Sequence, residues 1–218
     1  MKPLYEQYRP MTWDEIAGQE KVIKSLLTLC ERTGFGGRAI WLTGLSGTGK
    51  TTIARLIAAD VADPDYVTEL DAETLTPNMV QDIEAESRYS AFGKGGRVYI
   101  VNEAHGLKWR TVRQLLVTLE RVPAHVVWIF TTTVDGQETF EGCEDSGPLM
   151  SRCLVFHLAR RSIAESMAGR LKAGAREHGL DGQDAKDYVK LLYDCKLNMR
   201  AAWQRIEAGA MLGEGDAP

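Results

Sequence analysis

The chain has 218 residues, 44% of them hydrophobic and 26% charged, which fits a globular protein of one large domain with room for a small satellite. Twenty-six basic against 30 acidic side chains give a net charge of -4, which excludes a protein that coats nucleic acid by bulk charge and leaves only a local basic patch. The opening MKPLYEQYRP lacks the apolar run of a secretory signal, no stretch approaches the ~20 residues of a membrane-spanning helix, and Cys30, Cys143, Cys153 and Cys195 have no CxxC spacing; a cytoplasmic protein with reduced thiols, no structural zinc and no membrane partner is expected.

Apolar residues at helical spacing predict a helix from about residue 19 to 32, broken by Gly34, Gly36 and Gly37. Ala39–Thr43 reads as a buried strand, residues 50–62 as a helix, 66–71 as a second strand, and 77–91 as a helix with Pro77 in its first turn. A third strand over 97–101, a helix over 109–121, a fourth strand over 125–132 and a fifth over 153–158 follow. Beyond 161 the pattern is helical, over 162–178, 183–194 and 198–212. Strands alternating with helices predict an α/β fold, a five-stranded parallel sheet sandwiched by helices, in a domain over 1–160 followed by a small all-α lid over 161–218. Residues 135–145, DGQETFEGCED, hold five acids and no base and read as a solvated loop rather than a metal or partner site. The tail from Gly213 is expected to fray.

Gly44-Leu45-Ser46-Gly47-Thr48-Gly49-Lys50-Thr51-Thr52 fits GxxxxGK[ST] between a predicted strand and a predicted helix. Glycines let successive N–H groups turn toward phosphate oxygens, and the following helix adds its positive end. Lys50 would neutralise the β- and γ-phosphates and Thr51 would offer a hydroxyl to Mg2+, so ATP and Mg2+ are the expected cofactors. The third strand ends in Asn102-Glu103. P-loop ATPases often end this strand in Asp-Glu, the Asp helping to hold the Mg2+ shell and the Glu orienting the attacking water. Asn102 can accept a hydrogen bond from a metal-bound water but brings no charge, so weaker Mg2+ binding and slow or lost hydrolysis are expected.

With these residues the chain resembles the clamp-loader family of AAA+ ATPases, the motor subunits that place sliding clamps on DNA. Tyr8-Arg9-Pro10 and Trp13-Asp14-Glu15-Ile16-Ala17-Gly18-Gln19 are similar to the family segment that straps over adenine and ribose, which implies nucleotide contacts from Tyr8, Arg9, Pro10, Ile16 and Ala17; Tyr8 reads equally well as core packing. Glu69-Leu70-Asp71-Ala72 resembles the E-L-N-A strand, and Asn102-Glu103-Ala104-His105 stands where the family has D-E-A-[DH]. Ser151-Arg152-Cys153 matches the SRC motif, whose arginine reaches a neighbouring subunit's ATP site. Thr132 stands at sensor one, the choice among Thr131, Thr132 and Thr133 being open, and Arg200 in Asn198-Met199-Arg200 matches the lid arginine at the γ-phosphate. The resemblance spans about residues 5–210. Three departures accompany Asn102: Ala62–Asp65 carries no cysteine zinc module, as in the small subunits of phage, archaeal and eukaryotic loaders; the acidic insert 135–147 is longer than the family's usual connection from sensor one to SRC; and the family's helical collar would lie beyond Pro218, where the sequence ends.

The resemblance implies an ATP-binding and ATP-hydrolysing protein of DNA replication that drives assembly of a ring or clamp on DNA. Its partners would be other AAA+ subunits through Arg152, a sliding clamp or another replication protein, and the DNA backbone. Lys94, Arg97, Lys108, Arg110 and Arg113 form a candidate basic group, with Trp109 either stacking on a base or packed inward. Two other readings stay open: a different DNA-metabolism motor on the same core (branch migration, fork repair, loading of another replication enzyme), and a nucleotide-gated scaffold in which Asn102 leaves hydrolysis weak.

Overall fold

All five expected strands form: β1 (Arg38–Thr43), β2 (Val67–Asp71), β3 (Arg97–Asn102), β4 (Val126–Thr132) and β5 (Cys153–His157). Every pairing is parallel, in the order β2-β3-β4-β1-β5. The computed structural model describes residues 2–133, 147–158 and 163–213, so the acidic run 135–145 and the last five residues lie outside the described residues. The interior strand β4 is buried at every position, whereas the edge strands β2 and β5 keep exposed residues. A parallel strand covered on both faces has no polar side, which is why β1 and β4 read as unbroken apolar runs.

The chain forms two compact units. One, Lys24–Gly44 with Lys50–Leu158, holds the sheet. On one face of it lies α3 (Lys50–Val61), against β1, β3 and β4. Its Ile53, Ala54, Ile57 and Ala58 are buried at helical spacing. On the other face α4 (Pro77–Glu86) and α5 (Trp109–Leu119) pack together over alternate strand residues. Four aromatics organise that core. Trp41 stacks on its cross-strand neighbour Phe130 (5.5 Å) and Tyr99 meets its neighbour Trp128 (5.0 Å). Tyr99 keeps its hydroxyl satisfied by accepting a hydrogen bond from Ser87 Oγ (3.1 Å). That Ser87, itself buried, follows the end of α4, five residues short of the expected 91; the chain then turns through Gly93 and Gly95 at positive φ. At the other end Thr76 caps α4 by accepting from Met79 N (3.3 Å), ahead of Pro77. Thr76→Ala should cost about 1 kcal/mol, read as a shift of the urea midpoint with an unchanged slope.

The second unit joins Ala159–Pro218 with Met1–Ile23 and Leu45–Gly49, where a single division at 160/161 was expected. Its helices are α7 (Ala164–Glu177), α8 (Ala185–Asp194) and α9 (Met199–Glu207), with the short α1 (Leu4–Gln7) packed on α9. Leu4, Met167, Leu171, Tyr188, Leu192, Trp203 and Ile206 form its core. α9 stops short of the expected 212 because Gly209, at φ +87°, ends it in the left-handed conformation. Two elements carry no periodicity in the sequence: α1 and α6 (Gly147–Met150) are single turns. The remaining helix, α2, runs Glu20–Thr33 close to its expected span. No helix among the described residues is long and apolar enough to cross a membrane.

Asp181 ties the helical unit together. Its carboxylate takes hydrogen bonds from Lys172 Nζ (3.1 Å), Tyr188 Oη (3.2 Å) and Arg176 Nε (3.3 Å). Burial alone would raise its pKa; the bonds from Lys172 and Tyr188, the Lys172 charge and the Arg176 bond outweigh burial and hold it below the usual Asp value. A depressed carboxyl contributes stability that is fully present above the unfolded value, near pH ~3.9, and is lost as pH falls through the folded value. Wild-type stability should therefore drop faster than that of Asp181→Asn below about pH 4, followed by thermal melts across pH.

Candidate nucleotide site

Between β1 and α3 the chain turns through Gly44–Gly49. Gly47 takes φ +77° and Gly49 φ +102°, values that strain any side chain. Gly47 is also hemmed in: a Cβ there would lie 2.2 Å from Asn198 Oδ1. Thr48 Oγ1 donates to Leu45 O (2.8 Å), and the buried Gln19 donates from Nε2 to Thr48 O (3.4 Å). Asn198 caps α9 by accepting from Ala201 N (3.2 Å), and its Nδ2 reaches Ser46 Oγ at 3.5 Å. Ser46, Gly47 and Thr48 are thus held by Asn198 and Gln19 within one compact unit.

Lys50 opens α3 and is 6% exposed, its ammonium donating to Gly44 O at 2.7 Å. A buried cation at the positive end of a helix is locally unfavourable twice, by desolvation and by the dipole. An anion bound at that end offsets both, the arrangement a polyphosphate requires. Thr51 comes next, its Oγ1 3.5 Å from Asn102 Oδ1; Thr52 follows, half-buried. The same Asn102 oxygen accepts from Thr131 Oγ1 at 3.0 Å. Thr51 Oγ1 and Asn102 Oδ1 are hard neutral oxygens, a donor type that suits Mg2+ beside phosphate and water, and neither supplies charge.

At Glu103 the backbone leaves β3 in the left-handed region (φ 52°, ψ 50°), a conformation that costs a non-glycine residue about 1–3 kcal/mol and concentrates at functional sites. Each of the three threonines considered for sensor one has its own partner: Thr131 meets Asn102, Thr132 Oγ1 lies 3.4 Å from His105 Nδ1, and Thr133 Oγ1 lies 3.5 Å from Glu103 Oε2. The end of β4 therefore addresses Asn102, His105 and Glu103 in turn.

Arg152 stands apart from this group, in the turn between α6 and β5. Its Nη2 donates to Glu120 Oε1 (2.6 Å) and its Nη1 to Pro148 O (2.9 Å). The Arg152 hydrogen bond and charge hold the Glu120 carboxyl below the usual range. The neighbouring Cys153 donates to Leu149 O, and burial pushes its thiol up to about 12, an unreactive packing residue. In the helical unit the exposed Arg200 carries its guanidinium 5.4 Å over the Tyr5 ring. Tyr8 stacks on Trp203 (4.6 Å) and donates to Glu177 Oε2 (2.6 Å); burial, then the Glu177 contact, pushes its phenol up to about 12. Its ring and hydroxyl are thus both engaged by residues of the helical unit. Arg9 pairs with Glu6 (2.6 Å), Pro10 is half-buried, Ile16 follows the turn Trp13–Glu15, and Ala17 packs on the helical core. Trp109 packs against the sheet core, which settles its orientation inward. In the basic group Arg97 is engaged by Glu86 and Lys94 by Ala59 O, while Lys108, Arg110 and Arg113 are exposed.

Residues 36–92, from before β1 to beyond α4, match the family model described as adenylylsulphate kinase, a minority of the chain that includes the phosphate loop. Over 185 residues the chain is 30% identical to the DNA polymerase III subunit tau of Salmonella typhimurium, covering 74% of this chain and 28% of that one. Over 217 residues it is 29% identical to the replication factor C small subunit of Haloarcula marismortui, covering 96% and 62%. Its fold matches that of the Thermotoga maritima RuvB Holliday junction branch migration motor with a TM-score of 0.69 at 20% identity, over 92% of this chain and 64% of that one. The chain is a P-loop AAA+ protein related to clamp-loader subunits. It spans less than two thirds of these relatives' own length. The AAA+ sheet order places β3, with Asn102 and Glu103 at its end, beside β4, and so fixes which threonines can meet them. Residues such as Gln19, His105, Asn198 and Thr131 enter the site through contacts; the first three sit inside recognisable motifs, whereas the pairing of Glu120 with Arg152 has no signal in the sequence.

Proposed function

We propose that this AAA+ chain binds ATP with Mg2+ and hydrolyses it as a clamp-loader-like subunit in DNA replication, driving assembly of a ring or clamp on DNA. The observation that carries the reading is the joining, in one sheet unit, of Lys50 at the head of α3 with the Thr51–Asn102–Thr131 cluster and Glu103, in a chain similar over most of its length to tau and replication factor C subunits. Lys50 and the loop amides bind and orient the phosphates. Thr51 and Asn102 would hold Mg2+, which would supply neutralisation of the phosphate charge. Glu103 holds the attacking water, Thr132 and its neighbours fix the geometry around it, Arg200 couples the lid to the γ-phosphate, and Arg152 acts on the site of a neighbouring subunit. The residues of the strap, Arg9, Pro10, Ile16 and Ala17, would face the base and ribose.

Steady-state ATP hydrolysis measured against protein concentration, with and without primed DNA, tests this. A specific rate that rises with concentration and again with primed DNA supports it. A rate that is flat and near zero despite tight nucleotide binding overturns the motor and favours the nucleotide-gated scaffold, a reading with its own observation: the side chain that meets Thr51 Oγ1 at the end of β3 is the neutral Asn102. Concentration-dependent hydrolysis stimulated by branched rather than primed DNA would indicate a different DNA motor on the same core.

A further inference from the structure

We propose that His105 is the positioning residue for Glu103, holding its carboxylate through Nδ1–H. The inference rests on the hydrolysis reading above. Glu103 is half exposed and sits on a left-handed kink, so β3 itself does not fix its side chain. The chain continues into the tight turn Ala104–Gly106, closed by Gly106 N donating to Glu103 O (2.8 Å) and Leu107 N to Ala104 O (3.1 Å). Ala104 is fully buried and anchors this turn. The turn brings the His105 ring back over the residue that precedes it by two. Its Nδ1 lies 3.5 Å from Glu103 Oε2 and 3.4 Å from Thr132 Oγ1.

The tautomer with hydrogen on Nδ1 donates to a carboxylate, which is stronger than a bond between neutral groups. The other tautomer would accept from Thr132 and turn a lone pair on the carboxylate. Thr133 Oγ1 also addresses Oε2, at 3.5 Å. Both donors therefore act on one carboxylate oxygen and leave Oε1 to the water. Hydrogen bonds this long tighten when the substrate complex forms. Thr132 is fully buried, and its Oγ1 can share the same Nδ1–H only as a second acceptor at the rigid strand end.

The test uses the full chain and the variants His105→Ala, His105→Gln and His105→Asn. The amide nitrogen of Asn stands where Nδ1 stands, whereas that of Gln reaches the Nε2 position. His105→Ala and His105→Gln should lower kcat roughly tenfold, His105→Asn should stay within about threefold of wild type, and affinity for a fluorescent ATP analogue should not move. Thermal melts establish that each variant is folded. A wild-type kcat in His105→Ala, equal rescue by Gln and Asn, or a loss that lies in affinity overturns the inference alone. A wild type that binds the analogue without turning over ATP overturns the hydrolysis reading, and the inference falls with it.

Discussion

Replacing Arg152 with alanine should lower ATP turnover about 10³-fold or more and leave nucleotide affinity within about twofold. The side chain lies in the turn entering the edge strand β5, held by Glu120 and by Pro148 O. Ser151 Oγ also donates to Pro148 O (2.9 Å), so the turn is braced on both sides of the arginine's backbone. Within its own chain Arg152 is bound to Glu120, just past the end of α5, and not to the cluster around Asn102. A surface pair of this kind is weak and screened by salt, so a phosphate group on a neighbour competes well with Glu120. Mixing separates action in trans from a structural role. Arg152→Ala and Lys50→Ala should each be inactive alone, yet a mixture should regain activity, because the first offers an intact site and the second an intact arginine. Failure of the mixture to recover, or loss of nucleotide binding in Arg152→Ala alone, would sink the role in trans. Glu120→Gln is the informative neighbour: it loosens the restraint without touching the arginine, and its turnover should equal or exceed that of wild type.

The parts of this protein that sequence made legible are those where a local pattern has a single physical solution. An unbroken apolar run such as Val126–Phe130 suits only a strand covered on both faces, and it is buried throughout. Glycines that precede Lys50-Thr51 at the head of an apolar-periodic stretch suit a phosphate loop, and Gly47 and Gly49 do take positive φ. What stayed hidden depends on partners distant in the chain. The stacking of Tyr8 on Trp203 joins two positions that no local pattern links. Thr131, Thr132 and Thr133 are alike in β-propensity, and only the β3–β4 register assigns one to Asn102, one to His105 and one to Glu103. The single turns α1 and α6 are too short for any period to show. The positive φ at Glu103 is a cost set by the end of β3 and the turn after it, and side-chain chemistry alone gives no hint of it.

Asn102→Asp should raise hydrolysis roughly tenfold to a hundredfold and lower the Mg2+ concentration needed for half-maximal rate. The exchange is close to isosteric, and the geometry accepts it. Asn102 Oδ1 already faces two hydroxyls, Thr131 at 3.0 Å and Thr51 at 3.5 Å, and both are donors that a carboxylate receives more strongly than an amide does. A unit charge about 4 Å from a cation is worth about 4 kcal/mol at an effective dielectric of 20, and desolvation of the new carboxylate returns part of it. The surplus is the expected gain. It should appear in kcat and in Mg2+ dependence together, since the same charge binds the cation and stabilises the transferring phosphoryl group. The two readings of this protein divide on the result. A gain that brings turnover up from near zero means the machinery of Lys50, Glu103 and Arg152 is intact and only the charge at the end of β3 is missing, as in a nucleotide-gated scaffold. A wild type that already turns over ATP and gains little holds its cation through phosphate and water, and then the neutral side chain is no brake on the motor. A loss of turnover would mean the Asn102 amide nitrogen itself takes part, and the metal-side role given to this position would be wrong.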